Sequence, residues 1–459
     1  MRGRISEKSP IRWGTAYFSQ YPFPNQLALN PVFTFVQSWT ERNELKNKEL
    51  ALIEYEQALK NVRHYFRLHE KQIYDSPIAR KIIAQGHPSN QNVILVLMEN
   101  MAAWKMRRYG NQDNLTPFLD SLAEQSIVFD QFYSSGIHTF NGIYSTLFGL
   151  PTLLQRHPMK PTESIQPYTG IAYTLKKDGY QTAYFCTHDA EFDNMAGFLS
   201  NNGFQQIVSE KDYPKEKIKS TLGVPDHVLF EEALPRLRQF SMKSKPFFAA
   251  FLTASDHIPH IIPDGIQFQP HSNEMNKKIV EYADWSIKHF LELAQKESWY
   301  NNTIFVFTAD HGNARDSQYG MTLSFHHTPC IIFIPQSIQS KQKLNTLGTQ
   351  LDIYPTIMGL LNVSYINNTF GRDILHEQYP FVFFNSDEKA GCLSDKFYLV
   401  LEQDGHESLF EYRQADNIDY RSTFLTTSDS MSTYVRSMYQ TAQWMIKNRK
   451  VGEPKERHK

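Results

Sequence analysis

NVILVLMEN, residues 92–100, is an apolar run that stops abruptly at a carboxylate, Glu99. An unbroken apolar run of this length, rich in β-branched residues, reads as a strand buried on both faces of a parallel sheet. Open α/β sheets bind ligands outside the carboxyl ends of their strands, which is where Glu99 falls. A second stretch has the same form. TIFVFTADHG, Thr303–Gly312, is an apolar run ending in Asp310-His311. Two buried strands, far apart in sequence, are thus expected to deliver metal-type ligands to one end of one sheet.

Outward from these strands the pattern alternates. Helices are predicted at Thr116–Gln125, Thr139–Phe148, Ile171–Lys177, Phe192–Ser200, Val228–Phe240 (interrupted by Pro235), Asn276–Lys296 and Leu351–Leu361. Strands are predicted at Ile127–Tyr133, Tyr180–Cys186, Pro246–Thr253 and Pro329–Ile334. The succession predicts an α/β fold, a mostly parallel sheet sandwiched by helices. Past residue 375, short strands at Phe381–Phe384, Lys396–Leu401 and Leu409–Tyr412 predict a small C-terminal antiparallel subdomain, closed by a helix at Ser430–Lys447. The Pro/Asn-rich residues 1–40 read as an extended arm on the body, and the charged residues 41–72 as one long amphipathic helix. The division is therefore 1–90 arm and helix, 91–375 catalytic body, 376–459 C-terminal subdomain.

The 459 residues carry a formal net charge of −1, which excludes nucleic-acid binding by bulk positive charge. The three cysteines, Cys186, Cys330 and Cys392, show neither metal spacing nor a disulfide framework. No apolar span is long enough for a membrane, and no secretory signal is visible in the sequence.

Candidate chemistry collects at strand ends. Glu99 is either a metal ligand, or a helix cap or salt-bridge partner at the strand end, since a buried carboxylate needs a partner or a cation. Asp310 offers a hard oxygen and His311 a borderline nitrogen, a mixture suited to Zn²⁺ or Mn²⁺. Thr139, in GIHTFNGIYSTLFGLP, opens a helix. It is either a simple N-cap or a hydroxyl poised where helix amides cradle a phosphate. His188 in CTHD and His257 in TASDHIPH both follow strands, whereas His326-His327 precede one.

These landmarks, with LTPFLDSLAEQSIVFDQFYSSG, EYADWSIKHFLELAQ, HHTPCIIFIP and QLDIYPTIMGLL in order over about residues 92–362, resemble the alkaline phosphatase/sulfatase superfamily. Within it the chain looks most like the extracytoplasmic catalytic domain of the lipoteichoic acid synthase family of phosphoglycerol transferases. The resemblance implies one divalent cation, Mn²⁺ favoured and Zn²⁺ the alternative, on Glu99, Thr139, Asp310 and His311. It implies Thr139 as nucleophile and His188 and His257 as the histidines that hold the phosphate and the entering or leaving group. His327 resembles a ligand of two-metal members and is a candidate for a second metal or for substrate. Family members place a Trp and an Arg after the His188 position. Here Phe192, Asp193 and Asn194 stand there, so Phe192 and Asn194 become the expected substrate contacts and the positive charge is missing. The implied partners are a phospholipid headgroup donor, a glycan or glycerol phosphate acceptor and a membrane surface. The implied location is the extracytoplasmic face of the cell membrane or the periplasm, with the family's membrane domain absent from this chain. A phosphoethanolamine transferase, a hydrolase of the superfamily, and a silent domain that keeps the fold are the alternatives. No Cys or Ser followed by x-Pro-x-Arg stands at the Thr139 position, which argues against a formylglycine sulfatase.

Overall fold

The computed structural model describes residues 13–19, 22–46, 53–68, 72–243, 245–315, 317–335 and 341–457. The strands in chain order are β1 (Arg80–Ile82), β2 (Asn92–Met98), β3 (Ile127–Tyr133), β4 (Gln181–Cys186), β5 (Gln206–Val208), β6 (Phe247–Leu252) and β7 (Thr303–Ala309). They continue as β8 (Cys330–Phe333), β9 (Gln342–Thr349), β10 (Tyr365–Asn367), β11 (Val382–Ser386), β12 (Lys389–Leu393), β13 (Tyr398–Glu402) and β14 (Glu407–Phe410). The helices are α1 (Pro22–Leu27), α2 (Pro31–Lys46), α3 (Tyr55–Tyr65), α4 (Pro117–Ala123), α5 (Thr139–Phe148) and α6 (Ile171–Lys177). They continue as α7 (Met195–Asn201), α8 (Asp226–Ser241), α9 (Met275–Ala294), α10 (Ile353–Leu360) and α11 (Leu425–Lys447).

Eight strands form the central sheet in the order β5-β4-β6-β2-β7-β8-β3-β9. All neighbours are parallel except β8, which runs antiparallel to both β7 and β3. The β2 run explains the layering. Val93, Leu95 and Leu97 pack on one face with residues of α5, α6, α7 and α10. Ile94, Val96 and Met98 pack on the other with residues of α4, α8 and α9. Every residue of β2 and β7 is buried, as an apolar run covered on both sides requires.

The C-terminal strands form a four-stranded antiparallel sheet, β11-β12-β13-β14. One of its faces, with Phe383, Cys392 and Leu399, shares a core with α11 and the main body. Helix α8 continues through Pro235. The predicted Phe192 helix begins instead as a 3₁₀ turn at Phe192–Asn194, with Asp193 and Asn194 at positive φ, and only Met195–Asn201 is α-helical.

The N-terminal region corrects the expected extended arm. Its described residues hold a 3₁₀ turn at Trp13–Ala16 and helices α1 and α2. Asn30-Pro31 is a helix start. Asn30 Oδ1 accepts the amides of Val32 and Phe33, and Pro31 fills the first helical position. The single helix expected over 41–72 is also corrected: α2 reaches Lys46 and α3 is a separate helix, while 47–52 and 69–71 lie outside the described residues. Helix α3 lays its buried Ala58 and Val62 on the body, packing against α11.

Candidate active site

Register brings the two decisive strand ends together. Met98 of β2 pairs with Ala309 of β7, so the next residues, Glu99 and Asp310, stand side by side. Thr253, which follows β6, accepts the Glu99 amide on its hydroxyl at 2.9 Å. Glu99, Asp310 and His311 form a group whose ligand atoms all lie within 4.8 Å of one another. His311 Nε2 is 3.8 Å from Glu99 Oε1 and 3.6 Å from Asp310 Oδ2. His311 Nδ1 is held 2.8 Å from the Gly312 carbonyl, which fixes the ring and leaves Nε2 as the ligand atom.

Thr139 reaches this group from β3. It is the first residue of α5, whose N-cap residue is His138. The Thr139 hydroxyl makes no capping bond; it lies 3.5 Å from Glu99 Oε2. Helix α5 can approach so closely because of Gly142. A Cβ there would stand 2.3 Å from the Asp310 carbonyl oxygen.

The electrostatics fit a cation. Burial, then the neighbouring Asp310 carboxylate, push the Glu99 carboxyl well above its ordinary pKa. Asp310 Oδ1 accepts the amides of Asn100 and His311, at 2.9 and 2.7 Å. Its Oδ2 is buried with no hydrogen-bond partner. An orphaned carboxylate oxygen beside a second buried carboxylate and an imidazole nitrogen is the donor set of a divalent ion. Glu99, Asp310 and His311, with the Thr139 hydroxyl, are the residues that could hold it.

The group sits at a cavity of about 1120 Å³ lined by Glu99, Thr139, His188, Phe192 and His257 among others. The His188 and Phe192 rings meet edge to face at 5.7 Å. Two predicted residues lie elsewhere. Asn194 is fully buried, accepting the Gly14 amide on Oδ1 and donating to the Met159 carbonyl, so its amide serves the protein and not the cavity. His327 is not among the cavity-lining residues. Its Nε2 is 2.8 Å from the Asp130 carbonyl and its ring stacks on Tyr133.

Sequence reasoning missed a supporting layer. Lys105 and Asp256 form a buried ion pair at 2.6 Å. Lys105 Nζ also donates to the Asn100 carbonyl at 2.7 Å, and Asn100 Nδ2 to the Asp256 carbonyl at 3.2 Å. Asn100, at φ 58°, thus joins Asp310 to the loop that carries His257. The only signal was a lone lysine in the apolar MAAWKM run and a carboxylate directly before His257. The antiparallel β8 likewise places its start, with His326, at the ligand end. His326 is fully buried, its pKa lowered to about 3 by burial.

A buried parallel sheet with oxygen and nitrogen donors converging at its carboxyl edge is the architecture of the alkaline phosphatase superfamily. A solved structure of a protein in that superfamily from Vibrio parahaemolyticus superposes with a TM-score of 0.78, covering 87% of this chain and 98% of that one at 24% identity. Residues 91–363 match the sulfatase family model, and the chain belongs to that family. Among characterised sequences it is 25% identical over 374 residues to the lipoteichoic acid synthase-like YvgJ of Bacillus subtilis, 72% of this chain and 58% of that protein. It is also 25% identical over 217 residues to phosphoglycerol transferase I of Xanthomonas axonopodis pv. citri, 45% of this chain and 31% of that one. The chain therefore spans well under two thirds of the length of these relatives. No helix among the described residues is long and apolar enough to cross a membrane.

Proposed function

We propose that the chain is a metal-dependent phosphotransferase that moves a glycerophosphoryl group from a phospholipid donor to an acceptor hydroxyl, of a glycan or of glycerol phosphate, through a phosphothreonine at Thr139. The reading rests on one observation: the Thr139 hydroxyl, on the first turn of α5, faces Glu99 within the Glu99–Asp310–His311 group. The names of the relatives, a lipoteichoic acid synthase-like protein and a phosphoglycerol transferase, support the same chemistry. A bound divalent cation, Mn²⁺ or Zn²⁺, would supply charge neutralisation at the phosphoryl oxygens and a lowered hydroxyl pKa. Thr139 Oγ, its proton passed to water, attacks phosphorus, and the bond to the lipid oxygen breaks. His257 or His188 gives that leaving oxygen a proton. His257 Nδ1 is engaged by the Ile258 carbonyl at 2.7 Å, which leaves Nε2 for this task. The acceptor hydroxyl, giving its proton to that histidine, then attacks phosphorus; the bond to Thr139 Oγ breaks and Oγ regains a proton from water. The site of action in this reading is a membrane surface outside the cytoplasm.

A second reading has its own observation. Asp189, Glu191 and Glu210 line the cavity beside Lys211 and Lys215, and among the described residues no arginine does. That acidic wall favours a cationic headgroup, as in phosphoethanolamine transfer. Intact mass after incubation with Mn²⁺ and mixed phosphatidylglycerol and phosphatidylethanolamine, with Thr139→Ala alongside, decides between them. A glycerophosphoryl adduct that needs Thr139 is expected. A phosphoethanolamine adduct would transfer the assignment, and free headgroup without an adduct would make the chain a hydrolase.

A further inference from the structure

Helix α2 is built inside out. Val32, Phe35, Val36 and Trp39 follow the i, i+3, i+4, i+7 spacing of a single helical face, and they are 69, 71, 45 and 62% exposed. The half-buried positions between them are Phe33, Thr34 and Gln37, and the helix meets the body at Thr162–Ile165. A surface helix ordinarily turns its apolar stripe to the core. Here Thr34 and Gln37 share the more buried side with Phe33, while a tryptophan, a phenylalanine and two valines face outward. Leu27, just before this helix, is also exposed.

The face is fixed relative to the catalytic cavity. Gly14, Tyr17, Phe18 and Ser19, upstream in the same segment, line that cavity. Trp13 Nε1 donates to the Lys160 carbonyl, the Gly14 amide to Asn194 and the Thr15 hydroxyl to Glu191, at 3.0 to 3.1 Å. Asn25 Oδ1 accepts the amides of Phe18 and Ser19, and Asn30 caps α2. Hydrogen bonds thus hold this segment at Trp13–Thr15, at Asn25 and at Asn30.

We propose that α2 lies flat on an anionic lipid surface through Val32, Phe35, Val36 and Trp39, and so holds the mouth of the cavity at the headgroups. Its meaning for turnover rests on the phospholipid-donor reading above. Three features select a lipid surface. Phe35 and Trp39 share with Val32 and Val36 an exposed apolar face over the first two turns of the helix, a length of roughly 11 Å, and Trp and Phe are the side chains that seat at a lipid interface. The sequence before Trp13 carries Arg2, Arg4, Lys8 and Arg12 against Glu7 alone, a charge that complements anionic headgroups. The same segment is continuous with the wall of the cavity that a lipid headgroup would enter.

Sedimentation of the full chain with vesicles of phosphatidylcholine, with and without phosphatidylglycerol, tests this. The full chain should partition onto the phosphatidylglycerol vesicles. The double variant Phe35→Asp/Trp39→Asp should partition at least about tenfold less, with an unchanged melting temperature because both positions are exposed. The milder Phe35→Ser/Trp39→Ser should also bind more weakly than the full chain. Equal partitioning by the full chain and both variants would overturn the proposal. So would an absence of vesicle binding, including the case in which light scattering finds a dimer that the variants dissolve, which would assign the face to a second copy. Vesicle binding lost in the variants, but with no adduct on Thr139, would leave the docking face standing and remove the transfer reading.

Discussion

Lys105 Nζ stands 2.6 Å from Asp256 Oδ2, and both side chains are buried. The pair ties the loop after β2 to the loop after β6, and through Asn100 it reaches Asp310. Lys105→Met should therefore do two things. It strands a buried carboxylate, which costs about 3–5 kcal/mol in a case of this kind. It also frees Asn100, so divalent-ion affinity should fall in the variant that still folds. Denaturant unfolding reads the first effect and isothermal titration with Mn²⁺ the second. Unchanged ion affinity would confine Lys105 to a structural part.

The sheet was legible because its centre is apolar on both faces. NVILVLM and TIFVFTA read as strands covered on both faces, and the carboxylates that follow them, Glu99 and Asp310, pointed to the candidate site. What was hidden lies at edges and in loops. Strand β9, QKLNTLGT, is half polar because it is the outermost strand, and β5 is three residues long. Asn194 was expected in the cavity because sequence adjacency to Phe192 says nothing of direction. The positive φ of Asp193 and Asn194 turns the chain, and Asn194 is spent on Gly14 and Met159. The Lys105–Asp256 pair joins residues 151 apart, a separation that no local pattern reports.

Thr139→Ala should remove turnover by at least about a thousandfold, as loss of a nucleophile does, while leaving the melting temperature close to that of the unaltered chain. His138, not Thr139, is the N-cap residue of α5, so the substitution removes no cap bond. Turnover assayed with circular dichroism melts checks both halves. A large loss of stability would return Thr139 to a structural role.

Metal addition should stabilise the fold. Glu99 and Asp310 are buried beside each other, and any ion that binds only the folded chain adds about 2.7 kcal/mol at a hundredfold excess over its dissociation constant. Glu99→Gln removes one anionic ligand, and the rise in melting temperature with Mn²⁺ or Zn²⁺ should shrink sharply. An equal rise in the variant would take Glu99 out of the ligand set.

Asp193 gives an acid-side prediction. Burial alone would raise its pKa, but the hydrogen bond and charge of His157 and the charge of Lys160, at 3.3 and 2.5 Å, outweigh burial and hold it at about 2. An unfolded aspartate titrates near about 3.9. The folded value is the lower one, so the stabilisation is present above about pH 4 and is lost as pH falls towards about 2. It amounts to roughly 2 kcal/mol. Asp193→Asn keeps a residue type that tolerates the positive φ at this position. Urea unfolding should show the variant weaker by about that amount near about pH 5, where His157 carries its proton, with the gap closing below about pH 4. A gap that does not change with pH would mean that the ion pairs contribute nothing.

Gly142 carries the last prediction, because it sets how near Thr139 can come to the ligands. It lies in the first turn of α5, and a Cβ built there meets backbone atoms of Asp310 at 2.3 to 2.7 Å. Neither backbone can rotate away as a side chain could, so Gly142→Ala must lift the start of α5 off the end of β7. Overpacking of this kind costs about 1–3 kcal/mol. The shift should also widen the 3.5 Å approach of the Thr139 hydroxyl to Glu99. The fold should survive, since alanine is the better helix former. Turnover should fall more than a hundredfold, because a displacement of about 1 Å at a reacting atom has that effect. Ion binding through Glu99, Asp310 and His311 should change much less, as these residues hang from β2 and β7 and not from α5. Separate loss of turnover and retention of the ion is thus the expected signature, read by calorimetric titration beside the adduct assay. Loss of both together would mean that α5 holds the ligand group itself in place.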